Sequence, residues 1–149
     1  MKLAGTALLP GSREEVWKLL TDPERLVKIL PGAERLEPDG PDRYKVSVKF
    51  GIAAITGKYA GAVQLTDQKP PDSLRMRVEG KGSPGFMKGD GQIQLRQKGE
   101  QTEVRYSGEA QVGGLIASVG QRMIEGAAKK IVQQFFDAAA AQLRKPGAS

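Results

Sequence analysis

Residues 113–143 read GGLIASVGQRMIEGAAKKIVQQFFDAAAAQL, and this stretch decides the fold. Every fourth position is apolar: Leu115, Val119, Met123, Ala127, Ile131, Phe135, Ala139 and Leu143. A second row, Ile116, Ile124, Ala128, Val132 and Phe136, runs beside it. Two adjacent i, i+4 rows make one broad apolar face on an α-helix. Gln121, Arg122, Glu125, Lys129, Lys130, Gln133 and Gln134 fall on the opposite face. The pattern predicts one helix over residues 113–143, about 45 Å long at 1.5 Å per residue. A helix of that length needs a large concave partner. Its apolar face is graded, with Gly113, Gly114, Ala117, Ser118 and Gly120 at the start and Ile131, Phe135 and Phe136 further on. Gly120 and Gly126 interrupt the pattern, each at about 1 kcal/mol relative to Ala. The small residues serve either close helix–sheet packing or a space that a ligand fills.

The rest of the chain supplies the partner. Residues 2–9 alternate as a first strand, ended by Pro10-Gly11. Ser12-Arg-Glu-Glu15 is a capping box ahead of a helix that buries Val16, Trp17, Leu19 and Leu20. Asp22-Pro23 opens a second short helix, which carries Leu26, Val27, Ile29 and Leu30 and stops at Pro31-Gly32. Six strands follow. Their inward residues are set by alternation: Tyr44, Val46, Val48 and Phe50; Tyr59, Gly61, Val63 and Leu65; Leu74, Met76 and Val78; Ile93 and Leu95; Val104, Tyr106, Ala110 and Val112. Residues 34–37 form a weaker first member of the set. Each strand has one apolar face, as antiparallel sheets do. The expected fold class is α+β: a curved antiparallel sheet wrapped around a long C-terminal helix, with two short helices after the first strand. One domain is expected over residues 1–144, with 145–149 as a loose tail.

Composition narrows the chemistry. The chain has 149 residues, no cysteine and no histidine. Disulfides, thiolate metal sites and a Cys nucleophile are excluded, and so is the commonest general base near neutral pH. No carboxylate cluster has metal-ligand spacing, and no metal or cofactor is expected. The formal charge of +6 favours anionic partners. The basic residues are scattered and no nucleic-acid footprint forms, so a nucleic-acid partner is not expected. No signal peptide or membrane span is expected, and the location is read as cytoplasmic.

Four stretches carry a resemblance: Arg13-Glu-Glu-Val-Trp17 with Leu20-Thr-Asp-Pro23; Leu30-Pro-Gly32; the spaced glycines from Phe50-Gly51 through Gly57-Lys-Tyr59 to Gly61; and Gln111-Val-Gly-Gly114 leading to Gln134-Phe-Phe136. Gly82-Ser-Pro-Gly-Phe86 agrees with them. The order of elements resembles the START-like, helix-grip superfamily. The motifs resemble more narrowly the CoxG family of carbon monoxide dehydrogenase, over nearly the whole chain. The resemblance implies an apolar cavity between sheet and long helix. It also implies an accessory role beside a molybdenum hydroxylase of the carbon monoxide dehydrogenase type, at the inner membrane face, with a quinone as a natural ligand. Some members continue into a hydrophobic anchoring tail. None follows in these residues, and an anchoring role is not expected of them.

A cavity needs apolar walls and few polar groups. The expected lining is Phe50, Tyr59, Met76, Phe86, Met87 and Tyr106 from the sheet, with Leu115, Val119, Met123 and Ile124 from the helix. The same residues would also serve as a dry core. Residues 80–91 read either as a glycine-rich lid tipped by Phe86 and Met87 or as an ordinary hairpin. An exposed tip beside Lys81 and Lys88 would suit an anionic bilayer. Asp90 reads as a buried acid or a solvated turn residue. Catalytic residues do not assemble: no nucleophile, base and orienting group fall together. The expected function is a non-enzymatic carrier for a quinone or isoprenoid lipid. A ligand-free assembly or membrane-docking factor is the alternative, and a cyclase- or hydrolase-like enzyme using the same cavity is a third.

Overall fold

The computed structural model describes residues 1–52 and 55–145. The start follows the local chemistry of the chain. After strand β1 (Lys2–Pro10), Ser12 caps α1 (Arg13–Thr21). Its Oγ accepts the Glu15 amide at 3.2 Å, and its hydroxyl lies 3.4 Å from the Glu15 carboxylate. Asp22 ends α1 and caps α2 (Pro23–Leu26), accepting the Glu24 amide at 3.0 Å. The second helix is shorter than the sequence suggests, because only turns carry the chain on to Leu30. Val16, Leu19, Leu20, Leu26 and Ile29 from this region are buried.

The sheet has seven strands in the order β1-β7-β6-β5-β4-β3-β2. The remaining members are β2 (Ala33–Pro38), β3 (Arg43–Phe50), β4 (Gly57–Lys69), β5 (Ser73–Gly82), β6 (Gly85–Lys98) and β7 (Gln101–Gly113). All pairs are antiparallel. β2 to β7 run as a meander, and β1 lies back against β7. The strands are longer than alternation alone reveals. Residues 80–91 in particular form a hairpin, not a lid. Gly82 pairs with Gly85 across a Ser83-Pro84 turn. Gly85 has φ +138°, and a Cβ there would stand 2.2 Å from the Gly113 carbonyl oxygen.

The C-terminal stretch departs from the expected single helix. Leu115–Val119 forms a short 3₁₀ helix, and α3 begins at Gln121 and ends at Arg144. Gly120, at φ +100°, breaks the two apart. The 24 residues of α3 span about 36 Å. The break also resets the phase. Ile124, Ala127 and Ala139 are buried, with Ile131 and Phe135 half-buried between them. Met123, on the row expected to face inward, is exposed.

The core divides into two. One cluster joins α1, α2 and the C-terminal half of α3 to Leu65, Leu74, Met76, Ile93, Leu95 and Val104. The other gathers Phe50, Ile55, Tyr59, Ile116, Ile124 and Ala127 at the opposite end. α3 comes closest to β1 and α1. At the expected tail, Lys145 ends the helix, and 146–149 lie outside the described residues.

Gly126 lies exposed within α3, with open space where a Cβ would stand. Gly126→Ala is expected to raise stability by about 0.5–1 kcal/mol, read as a higher denaturant midpoint at unchanged slope.

Candidate functional site

The ten residues expected to line a cavity fall into three places. Phe50, Tyr59, Met87 and Ile124 share the second core cluster. The Phe50 and Tyr59 rings are 5.7 Å apart and tilted by 56°. Tyr59 donates its hydroxyl proton to the Ile55 carbonyl at 2.9 Å, and burial pushes its pKa up. Met76 and Tyr106 belong to the first cluster, where Tyr106 packs on Phe136 at 5.2 Å. The Tyr106 hydroxyl points at Gly5, 2.6 Å from where a Cβ would stand. Among the described residues it has no hydrogen-bond partner. Phe86 (39% exposed), Leu115 (74%), Val119 (45%) and Met123 (53%) lie on the surface. Phe86 has the outward parity of β6, and its ring covers Gly113 on the neighbouring strand. The three others leave the inward row because Gly120 ends the helical register.

Between the two clusters the inward face of the sheet is nearly bare. Counting by twos from the buried Ile93 leads to Gly91, Gly89 and Met87 on β6. The register sets Gly91 opposite Met76 and Gly108, and Gly89 opposite Val78 and Ala110. Gly80 stands opposite Met87 and Gly61. A floor of glycine and alanine is thus framed by Met76, Met87 and Val78. A Cβ at Gly91 would meet only the Ser107 carbonyl oxygen, at 3.5 Å, and one at Gly89 only Val78, at 3.0 Å. Val78 shares this inward parity yet is 37% exposed. The middle of the concave face is open space. Val78, Gly89, Gly91, Gly108 and Ala110 are absent from the expected lining. Their signal is the alternation itself, carried back through residues with no side chain to display it.

A separate groove of about 830 Å³ follows the free edge of β1, between Leu3, Ala7 and Leu8 on one side and Val132, Phe136 and Ala140 on the other. It touches residues of both parities of β1, so it lies along the edge and not inside the sheet. On the outer face, Asp90 accepts two bonds from Arg75 at 2.7 Å and one from Arg77 at 3.3 Å. The hydrogen bonds from Arg75, with the charges of both arginines, hold its carboxyl below the usual range. Asp90 is an ionised sheet-surface residue, neither a buried acid nor a free turn residue. Among the described residues no helix is long and apolar enough to cross a membrane.

The CoxG family, whose description names it as part of carbon monoxide dehydrogenase, matches residues 5–144. This chain belongs to that family. No curated protein matches it. A crystal structure of a conserved protein from Geobacillus kaustophilus is 40% identical, with TM-score 0.92 over 96% of this chain and 95% of the other. A START superfamily protein from Mycobacterium smegmatis shares the fold at 12% identity, with TM-score 0.75 over 95% of this chain and 96% of the other. Protein CV1439 from Chromobacterium violaceum is 19% identical, with TM-score 0.71 over 97% of this chain and 98% of the other. The CoxG chain described here therefore has the START-like, helix-grip fold. Family and fold together point to a ligand-binding accessory protein.

The polar groups yield two predictions. Tyr59→Phe is expected to lower stability by about 1 kcal/mol, because the Ile55 carbonyl loses its donor. A denaturant titration reads this directly. The depressed carboxyl of Asp90 stabilises the fold above the ordinary carboxylate pKa of about 4, and that stability is lost as pH falls through the folded value. The wild-type advantage over Asp90→Asn is expected at pH 7 and should vanish in acid. Melting curves of both proteins from neutral pH into acid check the sign.

Proposed function

We propose that this protein is a non-enzymatic carrier that holds a hydrophobic small molecule over the glycine floor, between the sheet and α3. The observation that carries the reading is the open middle of the concave face, with Val78 exposed on the inward parity. Protein interiors are packed to the density of organic crystals. A face that ends in glycine at adjacent positions, with no helix side chain pressed on it, leaves volume for something else. Its surroundings are apolar, as small-molecule sites are. Met76 and Met87 flank it and can adapt to an irregular ligand, because methionine is unbranched and flexible. Tyr106 stands one inward position from Gly108, and its unpartnered hydroxyl is the natural group to meet a polar head.

The ligand class we infer is a quinone or other isoprenoid lipid: a long apolar chain with one hydrogen-bonding head. The family's name supports service to a molybdenum hydroxylase of the carbon monoxide dehydrogenase type, with residues 1–144 acting as one unit. The absence of His and Cys from the whole sequence supports binding over turnover.

Organic extraction of the purified protein with mass spectrometry of the extract tests the reading, alongside titration with quinone analogues. Wild type is expected to release a stoichiometric isoprenoid or to gain several degrees in melting temperature with an analogue. Gly91→Leu is expected to fill the space, retain the fold and lose at least tenfold in affinity. An unchanged affinity in that variant would sink the proposed site.

A further inference from the structure

We propose that the end of the molecule formed by the 3₁₀ helix and the β5–β6 turn docks on an anionic phospholipid bilayer. Its centre is apolar. Leu115, Val119, Met123 and Phe86 are all exposed, and in residues 114–123 only Ile116 is buried. The segment is held out from the body by that one side chain and by the Ile116 amide, which donates to the Pro84 carbonyl at 2.8 Å. Singly exposed apolar residues are ordinary, but four grouped on a protruding tip are an interaction surface.

The rim is basic. Lys49, Lys58, Lys81, Lys88 and Arg122 are all exposed, and none forms an ion pair among the described residues. The register brings them together: Lys49 stands opposite Lys58, and Lys81 opposite Phe86, which is opposite Gly113. Three stretches meet here, and each lacks acids. No Asp or Glu occurs between Asp42 and Asp67, between Glu79 and Asp90, or between Glu109 and Glu125. Like charges directly opposite on a sheet are destabilising. The Lys49–Lys58 pair is therefore a site that an external anion relieves. Lysine is depleted from protein–protein interfaces, whereas a lysine rim around aliphatic side chains suits lipid headgroups around an inserted tip. Each lysine near an anionic surface contributes about a fivefold gain in partitioning.

The surface does not depend on the cavity reading, and vesicle binding is measured without quinone. Failure of one therefore leaves the other standing. The test is co-sedimentation with phosphatidylcholine vesicles and with vesicles containing phosphatidylglycerol. Wild type is expected on the anionic vesicles only, with binding that weakens as salt shortens the Debye length. Leu115→Ser with Met123→Ser should bind at least tenfold more weakly, and Lys58→Glu with Lys81→Glu more weakly still. Melting temperatures of both variants should stay near wild type, since all four side chains are exposed. Leu8→Ser, on the far edge strand, should bind as wild type does. Equal binding to both vesicle types, or wild-type binding by the Leu115/Met123 variant, overturns the proposal. Binding to neither overturns it too, and leaves an acidic protein as the partner for the rim.

Discussion

One geometric constraint governs the molecule: a seven-stranded antiparallel sheet has one long face to bury, and few helices are available to bury it. α1 and α2 reach one end of that face. α3 reaches both ends but presses closely on β1 and α1 only. Gly5 and Ala7 on β1 permit the approach, and Ala139 on the helix is completely buried by it. The two core clusters are the consequence. Each end is packed by large aliphatic and aromatic side chains. The middle is left to glycines, whose neighbours would tolerate added volume at Gly91 and Gly89.

The 3₁₀ helix ties the two ends of this arrangement to the surface. Ile116 turns inward to join Phe50, Tyr59 and Ile124, while its neighbours Leu115, Ala117 and Val119 turn outward. Gly120 permits the change of direction with a backbone conformation that other residues rarely adopt. One short segment thus forms both a wall of the inner cluster and the apolar tip. A ligand above the glycine floor and a surface beyond the tip are separated by this cluster alone.

The fold is legible in the sequence because local signals agree with the global one. The Ser12 and Asp22 caps, the alternation in β3 to β7 and the apolar rows of α3 all appear in the structure. The helix start is not legible, because periodicity at every fourth residue runs unbroken across Gly120 and only the backbone angle there interrupts it. The same unbroken period places Leu115, Val119 and Met123 inward, against what the structure shows. Phe86 reads as inward because it is aromatic, although its parity on β6 is that of Lys88. Phe50, Tyr59 and Ile124 are legible because burial and alternation coincide at them. The glycine floor is only partly so, since an inward residue without a side chain leaves no hydrophobic mark.

The pairing of β1 with β7 has a further consequence. Met1 bonds Ala110 across 109 positions of chain, and the edge strand that opens the sequence is completed by the last strand to be made. Long-range pairings of this kind slow folding, because loop-closure entropy precedes the reward of contact. During synthesis β1, α1 and α2 must wait, with their apolar faces uncovered, until nearly the whole chain has left the ribosome. The strongly capped helices give that waiting segment local structure before it has a sheet to join.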